Sequence, residues 1–427
     1  MECENTVFLA KIPIKNAAID QAFERFNLTW QYLVAQTKTN LNYTFAQQKD
    51  KIIEIIRFLV EKCHPNYCNP GCRIDFAAAG RSLYMGAKTF AHRLSQLGFN
   101  VNFPYSEKEI SGPPSSIIRK EDVIIAISAS GETESVVNKS LFGHKLGCKI
   151  IAVTAKLDSP LIKNSPDTIL ELPDKVDAEN LKNSYPDAFT PLGTLSEFTN
   201  AVLWESIARG LHEVINKNVS FEKSFEITKA CYNDLLSHSL SDLKLCLESS
   251  KENIRSLIAN LIQNYFSELT LHLYGRGKIF NLQIAPFEMR LRQMPHGFIT
   301  SILNYAPKNR PVKRGQIAIL STGSGSLSIT AGILRECEAM VIGLTSHKSG
   351  FWDLVDVPIL LPGRANQSPS NWEKQQWEGA HADYAPAGIQ FEINGCIFLE
   401  SIFAAICKYL NLSEEDLRGG HANKTLE

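Results

Sequence analysis

The residues best suited to chemistry form a short polar loop that directly follows an apolar run. The segment "VIIAISASGETESVV" begins with five apolar residues and then presents hydroxyl side chains around a glycine. Hydroxyls and unpaired backbone N–H groups at the start of a helix can hold a phosphate without a lysine. A simple helix cap would use the same residue types, so the loop alone leaves both interpretations open. The predicted phosphate-binding residues of this loop are Ser128, Ala129, Ser130, Gly131 and Thr133.

A second polar turn, "AAAGRS", is predicted to lie beside this loop. It places Gly80, Arg81 and Ser82 at the end of another apolar run. Parallel strands present their carboxyl ends at one edge of a sheet, where ligands bind. We therefore expect these three residues to complete the phosphate site, with the arginine ranked below the hydroxyls. The turn does not match the glycine motifs of nucleotide-binding loops.

The elements that must position these residues alternate between strands and helices. Continuous apolar runs separated by helical segments are typical of a parallel sheet covered on both faces. The predicted strands of the first half are "RIDFAAAG", "DVIIAIS", "KIIAVTA" and "TILEL". Those of the second half are "LTLHLYG", "QIAILST", "MVIGLTS" and "VPILLPG". Residues 15–62 and 220–268 hold segments without glycine or proline that predict long helices before each sheet.

The chain repeats itself after about 195 residues. By matching letters, we pair Gly80-Arg81 with Gly275-Arg276, and "TPLGTLSEF" with "APAGIQFEI", which aligns Glu197 with Glu392. A repeat of this length indicates duplicated domains, since solenoid units are shorter, about 20 to 50 residues. The sequence therefore predicts an α/β protein with two tandem domains, packed as a pseudo-dimer.

The predicted domains are residues 1–218 and 219–427, with sheets that begin near residues 73 and 270. Each domain carries its long helices ahead of its sheet. One further pair of matched residues is Arg93 and Arg290, from "HRLSQL" and "MRLRQM". Such a repeated arginine fits a structural ion pair at least as well as a contact with an anionic substrate.

The composition argues against some classes of partner and indicates a cellular location. The chain has 427 residues and a formal net charge of −1, which gives no electrostatic reason to expect nucleic acid or an anionic membrane as partner. Scattered cysteines, and an N-terminus unlike a secretory signal, favour the cytoplasm. The cluster of Cys63, His64, Cys68 and Cys72 fits no common metal spacing, so we interpret it as a loop and expect no metal.

The quoted motifs resemble a sugar isomerase (SIS) domain. The matching segments of the first copy are "GRS", "RLSQLGF", "AISASGETESVVN", "KLGCKIIAVTAKLDSPL" and "PLGTLSEF", which span most of residues 73–205. More narrowly, they resemble the 6-phospho-3-hexuloisomerases, as does the C-terminal "NLSEEDLRGGHAN". The resemblance implies a flavodoxin-like sheet and interconversion of D-arabino-hex-3-ulose 6-phosphate with fructose 6-phosphate. It also implies that no metal or cofactor is needed.

The resemblance assigns two catalytic residues. Glu197 matches the family's catalytic glutamate, which would take a proton from the sugar. His421 matches a histidine of the C-terminal tail, which in family oligomers reaches a neighbouring subunit's site and can move protons at neutral pH. We therefore expect a phosphorylated sugar as substrate and a homodimer of pseudo-dimers. The alternatives left open are an aldose–ketose isomerase and a sugar-phosphate sensor without catalysis.

The second copy of the loop, "STGSGS", reads as a degraded version of the first. Letter matching puts Gly323 in place of Ser130 and Gly325 in place of Glu132, and Gly277 in place of Ser82. We therefore predict one complete site per chain, in the first half. Residues kept by the second half define a possible second site: Ser321, Ser324, Ser326 and Glu392.

Overall fold

The fold is taken from a computed structural model, which describes residues 15–68, 71–103, 118–164, 166–303, 310–364 and 389–422. Two parallel sheets flanked by helices confirm the predicted α/β class with two repeated units. The strands are β1 Ile74–Ala78, β2 Val123–Ile127, β3 Lys149–Thr154, β4 Thr168–Glu171, β5 Leu271–Tyr274, β6 Thr300–Ile302, β7 Ile317–Thr322, β8 Met340–Thr345 and β9 Val357–Leu360.

The helices cover both sheets and the space between them. Those of the first half are α1 Asn16–Gln47, α2 Lys49–Phe58, α3 Gly80–Ser82, α4 Thr89–Gln96, α5 Glu134–Leu146, α6 Pro160–Lys163, α7 Ala178–Ser184 and α8 Thr194–Lys217. Those that follow are α9 Phe221–Ser267, α10 Ala285–Arg292, α11 Ser328–Glu336, α12 Gln390–Tyr409 and α13 Glu414–Ala422. Segments of π-helix join α3 to α4 (Leu83–Lys88) and lead into α10 (Phe280–Ile284).

The second sheet has the strand order of a doubly wound fold. The second sheet runs β6-β5-β7-β8-β9, and the first runs β1-β2-β3-β4. The sequence prediction missed β6, which has three residues and lies at an edge. In the described part of the first half, an isolated bridge between Ile74 and Val101 occupies the corresponding side of β1. In a doubly wound sheet the strand order reverses beside the first strand, and ligands bind in the crevice at that point.

The long helices predicted before each sheet are confirmed. The first region forms α1 and α2, and the second forms the 47-residue α9, which is kinked at Ser250. Helix α12 is largely apolar, and it is the one helix in the described ranges long and apolar enough to cross a bilayer. Its apolar stretch is completely buried within the protein, as expected of a core helix.

One hydrophobic core joins the two halves. The rings of Phe26 on α1 and Phe398 on α12 meet edge to face at 5.4 Å between centroids. Phe90 and Trp204 stack at 4.4 Å within the first half. Separate smaller clusters cover the outer face of each sheet. The helical layer between the sheets therefore brings residues of the two halves together near both ligand edges.

The cysteine-rich segment packs against the first half. Cys63 is buried, and the ring of His64 contacts the carbonyl oxygen of Leu97 at 2.9 Å through Nε2. Among the described residues, no group of three or more ligand-type side chains is arranged to hold a metal ion. In the described structure these residues contribute packing and hydrogen bonds.

Candidate functional site

Backbone geometry defines which residues of the two halves are equivalent at the first turn. Gly80 has a φ of 55° and Gly277 a φ of 58°, a left-handed conformation that favours glycine. Each lies six residues after the start of its strand, Ile74 or Leu271. The pairing of Gly80-Arg81 with Gly275-Arg276 was therefore wrong by two residues. Lys278 is the residue equivalent to Arg81.

The serine-rich loops also align differently from the letter match. Gly131 and Gly325 both have positive φ, at 62° and 71°. A Cβ atom on either glycine would lie 2.1 or 2.2 Å from a serine hydroxyl, that of Ser159 or Ser349. The two glycines are thus equivalent, and Ser324 corresponds to Ser130. The prediction that Gly323 replaces Ser130 was wrong, and the second loop keeps the central hydroxyl.

The first loop is internally hydrogen-bonded. The Ser128 hydroxyl lies 3.1 Å from that of Thr133 and accepts a hydrogen bond of 3.1 Å from the Gly131 N–H. The Ser130 hydroxyl accepts one from the Glu132 N–H at 3.2 Å. Because Ala78 of β1 pairs with Ile127 of β2, this loop and the Gly80 turn leave the sheet at the same edge.

Next to this edge, two arginines and two glutamates form a buried cluster. Arg81 binds Glu197 at 3.2 Å and Glu400 at 2.6 Å. Arg290, from the second half, lies 3.4 Å from Glu197 and 3.6 Å from Glu400. Arg290 also donates to the Thr194 hydroxyl at 2.6 Å. Both guanidiniums are at least 98% buried, so each half supplies charges that hold the other half's glutamate.

The cluster changes the acid–base properties of its members. Burial raises the pKa of Glu197, and this effect outweighs the opposing charges of Arg81 and Arg290. Burial and the neighbouring Arg81 lower the pKa of Arg290 to about 10. Glu197 stands in the first turn of α8, beside the left-handed Gly193. It is thus a carboxylate with a raised pKa at the ligand edge, which is suited to proton transfer.

The equivalent edge of the second half opens into a cavity of about 250 Å³. The second loop lines it with Ser321, Thr322, Ser324 and Ser326. The structure therefore brings together the four residues predicted for a possible second site: Ser321, Ser324, Ser326 and Glu392. Ser321, however, belongs to β7 and donates to Gln283 at 2.5 Å, so Thr322 occupies the place of Ser128.

Lys278 and Arg364 are among the residues of this cavity that were not predicted from the sequence. Arg364 forms an ion pair with Glu392, which is 1% exposed. Burial, followed by the charge of Arg93, lowers the pKa of Lys278 to about 7, despite Glu205 and Glu392 nearby. Lys278 is the lysine of "GRGK". The letter-by-letter alignment of the two copies placed this lysine outside the site.

The remaining predicted residues lie as follows. Ser82 is buried in α3, and Arg81, predicted to contact phosphate, lies in the ion-pair cluster. Arg93 pairs with Glu205 at 2.6 Å, which is one of the two roles that the sequence left open for the repeated arginine. His421 falls within α13, but its side chain lies outside the described residues.

Comparisons with known proteins support a common family for the first half. A model of the SIS domain matches residues 69–185. A protein of uncharacterised function from Archaeoglobus fulgidus is 37% identical over 152 residues, which cover 36% of this chain and 76% of that protein. The 3-hexulose-6-phosphate isomerase of Methanocaldococcus jannaschii is 25% identical over 178 residues, or 42% of this chain and 83% of that enzyme.

The tandem arrangement also has a solved counterpart. The crystal structure of a candidate phosphosugar isomerase from Clostridium difficile 630 aligns with 90% of this chain and 94% of its own, with a TM-score of 0.60. Sequence identity in that alignment is 13%, so the likeness concerns the fold. Together with the family match and the 37% identical relative, it leads to one conclusion: this chain belongs to the SIS-domain family.

Proposed function

We propose that this chain is a sugar-phosphate isomerase that interconverts D-arabino-hex-3-ulose 6-phosphate and fructose 6-phosphate. The observation that carries the proposal is Glu197, a glutamate of raised pKa whose side chain is 13% exposed, beside the edge where the serine-rich loop begins. Similarity to two proteins named 3-hexulose-6-phosphate isomerase supports this choice of sugar. The near-neutral net charge supports a small metabolite in the cytoplasm as substrate, rather than nucleic acid or a membrane.

In the proposed reaction the carbonyl moves between C3 and C2 through a 2,3-enediol. Glu197 takes the proton from C2 of the 3-ketose, and a proton returns to C3, while a second proton moves between the two oxygens. Hydrogen moves as a proton throughout, so the step needs no redox cofactor. A carboxylate whose pKa is raised toward neutrality is a stronger base, and it also holds the proton long enough to return it.

In this proposal the other groups bind the substrate, position Glu197 or move protons. The backbone N–H groups and hydroxyls of residues 128–133 hold the phosphate at the start of α5. Arg81 and Arg290 act as positioning residues that fix the carboxylate of Glu197. His421 moves protons on the oxygens, reaching the site of a partner subunit in a homodimer.

The test is hydrogen exchange of fructose 6-phosphate in heavy water, followed by NMR. A 2,3-enediol exchanges the hydrogen at C3, whereas an aldose–ketose isomerase exchanges that at C1. We expect exchange at C3 alone, and a loss of at least 100-fold in Glu197→Gln, the usual contribution of a general base. A melting curve checks that this variant remains folded.

Two outcomes would contradict the proposal. Exchange at C1 would identify an aldose–ketose enzyme, and binding without exchange at either carbon would identify a sugar-phosphate sensor. Glu392→Gln is the matched control, because Glu392 is the equivalent residue of the second half. Equal losses in both variants would show that the first half is not the sole site of isomerisation.

A further inference from the structure

The second-half cavity contains a set of groups that isomerisation at Glu197 does not use. Lys278 and Glu392 face it together with the hydroxyls of the second loop. Its volume of about 250 Å³ is slightly below the roughly 300–1,000 Å³ of common ligand pockets. That size favours a small metabolite.

Lys278 is an amine without a fixed partner. In the described part of the chain, it has neither a hydrogen bond nor an ion pair, although it is partly buried. Its equivalent in the first half, Arg81, binds two carboxylates. The nearby cation Arg93 is paired with Glu205, and Arg364 is paired with Glu392. Neighbouring cations and burial favour the neutral amine, which is the nucleophilic form of lysine.

Glu392 supplies a carboxylate oxygen that is not in use. Its Oε1 accepts from Arg364, while its buried Oε2 has no hydrogen-bond partner among the described residues. Leaving a buried carboxylate oxygen unpaired costs free energy unless a ligand satisfies it. This oxygen belongs to a residue that lines the cavity, as does Lys278, so both can serve the same ligand.

The second loop can hold an anionic group at the other side of the cavity. Ser324 donates to Ser326 at 3.0 Å, and the Ser326 N–H lies 3.3 Å from the Thr322 hydroxyl. The left-handed Gly325 gives this loop the turn that the first loop takes at Gly131. The cavity thus combines a hydroxyl-lined turn with an amine and a free carboxylate oxygen.

We propose that this cavity is a second reactive site, in which Lys278 forms an imine with an open-chain, phosphorylated keto sugar. The neutral amine attacks the carbonyl carbon, and one of its two protons passes to the carbonyl oxygen to give a carbinolamine. Glu392 Oε2 accepts the proton from nitrogen and returns it to the departing hydroxyl, which leaves as water. The C=O bond is replaced by a C=N bond, and no oxidant or reductant is consumed.

The first half cannot perform this step at the equivalent position. The guanidinium of Arg81 stays protonated at all accessible pH values and does not attack carbonyls. The two halves would therefore divide the chemistry: proton transfer at Glu197 and imine formation at Lys278. The imine does not depend on isomerisation by Glu197, so the two proposals can fail separately.

The test is reductive trapping of the full-length protein with fructose 6-phosphate and cyanoborohydride, followed by peptide mass spectrometry. Reduction of the imine adds the mass of the sugar phosphate less one oxygen. We expect this adduct on the peptide that contains Lys278, with at least tenfold more labelling than at the exposed Lys156. Glu392→Gln should slow labelling at least tenfold, and Glu197→Gln should label as the wild type does.

Lys278→Arg is the decisive variant, because it keeps a cation of the kind that Arg81 provides but cannot form an imine. Labelling of the protein should fall to the level of surface lysines. The proposal is overturned if wild-type Lys278 carries no adduct, or if Lys278→Arg is labelled as strongly as the wild type. It is also overturned if unphosphorylated fructose labels Lys278 as well as fructose 6-phosphate does.

Discussion

The two ligand edges share a backbone and differ in how their charges are paired. At the first, Arg81 and Arg290 pair with Glu197 and Glu400, and every charge has a partner. At the second, the pairs Arg93–Glu205 and Arg364–Glu392 leave the amine of Lys278 without one among the described residues. The exchange of arginine for lysine at this position is one difference between the closed cluster and the open cavity.

This difference shows how a duplicated fold can diversify. Arginine binds two carboxylates at once because its guanidinium presents several donors in a plane. Lysine presents one compact ammonium, and it loses its proton when it is buried near other cations. The same position therefore serves as a structural clamp in one half and as a reactive group in the other.

The largest effect should separate Arg81→Met from Lys278→Met. Removing Arg81 leaves Glu197 and Glu400 with less compensation, and breaking a buried pair typically costs about 3 to 5 kcal/mol. Removing Lys278 breaks no pair within the described residues and removes an amine whose pKa is lowered by burial, so this variant should be at least as stable as the wild type at pH 7. Urea unfolding measures both. Equal losses would contradict the distinction between a clamp and an open site.

Next in size, Gly131→Ala and Gly325→Ala should destabilise the two halves alike. Both glycines have positive φ and face a serine hydroxyl closely, so each variant should lose about 1 to 3 kcal/mol. Gly332→Ala on α11 is the control, since nothing lies near its Cβ position and alanine favours helices. Thermal unfolding gives the comparison. A harmless Gly325→Ala would mean that the two loops are not equivalent.

Several of these features could be predicted from the sequence, and others could not. The eight strands of apolar residues and the long helices stood out because buried parallel strands read as continuous apolar runs. Strand β6 was missed because three edge residues carry too little pattern. The register error arose at "GRGK", which holds two glycines, because only backbone φ shows which one makes the turn.

The ion-pair partners at the site were harder to predict from the sequence than the polar loops. Glu197 and the serines lie in recognisable motifs, so they could be singled out. Arg290 reaches Glu197 from 93 residues away, and Glu400 reaches Arg81 from 319. Such contacts depend on how the two halves pack, which local patterns do not encode. The prediction of one complete site in the first half stays untested. The second loop keeps hydroxyls at the positions of Ser128 and Ser130 but has Leu327 at the position of Thr133.

A graded effect should appear in the pH dependence of stability. The pKa of Lys278 is about 7 in the folded protein and about 10.4 in an unfolded chain. Between these values the unfolded state binds more protons, so stability attributable to Lys278 should rise with pH, by at most about 1.4 kcal/mol per unit. Its neighbours Arg93, Arg364, Glu205 and Glu392 are unchanged in Lys278→Met. Parallel pH curves for wild type and variant would contradict the lowered pKa.

The smallest effects should come from single hydroxyls. Ser130→Ala and Ser324→Ala should each weaken binding of inorganic phosphate about fivefold, the worth of one hydrogen bond of about 1 kcal/mol. Ligand-observed NMR titration measures the affinities, with Ser135→Ala of α5 as a control outside both loops. If Ser130→Ala alone weakens binding, the first half holds the sole phosphate site, as the sequence suggested.

The contact between α1 and α12 has a consequence for how the protein is made. These helices stand near opposite ends of the chain, and each buries its apolar residues against the other. On the ribosome, α1 is synthesised long before α12, so its packing partner is absent until most of the polypeptide has emerged. Until then its apolar side chains are open to aggregation or to chaperones. Folding of the central core should therefore be largely post-translational, and slow because it requires contacts of very long sequence separation.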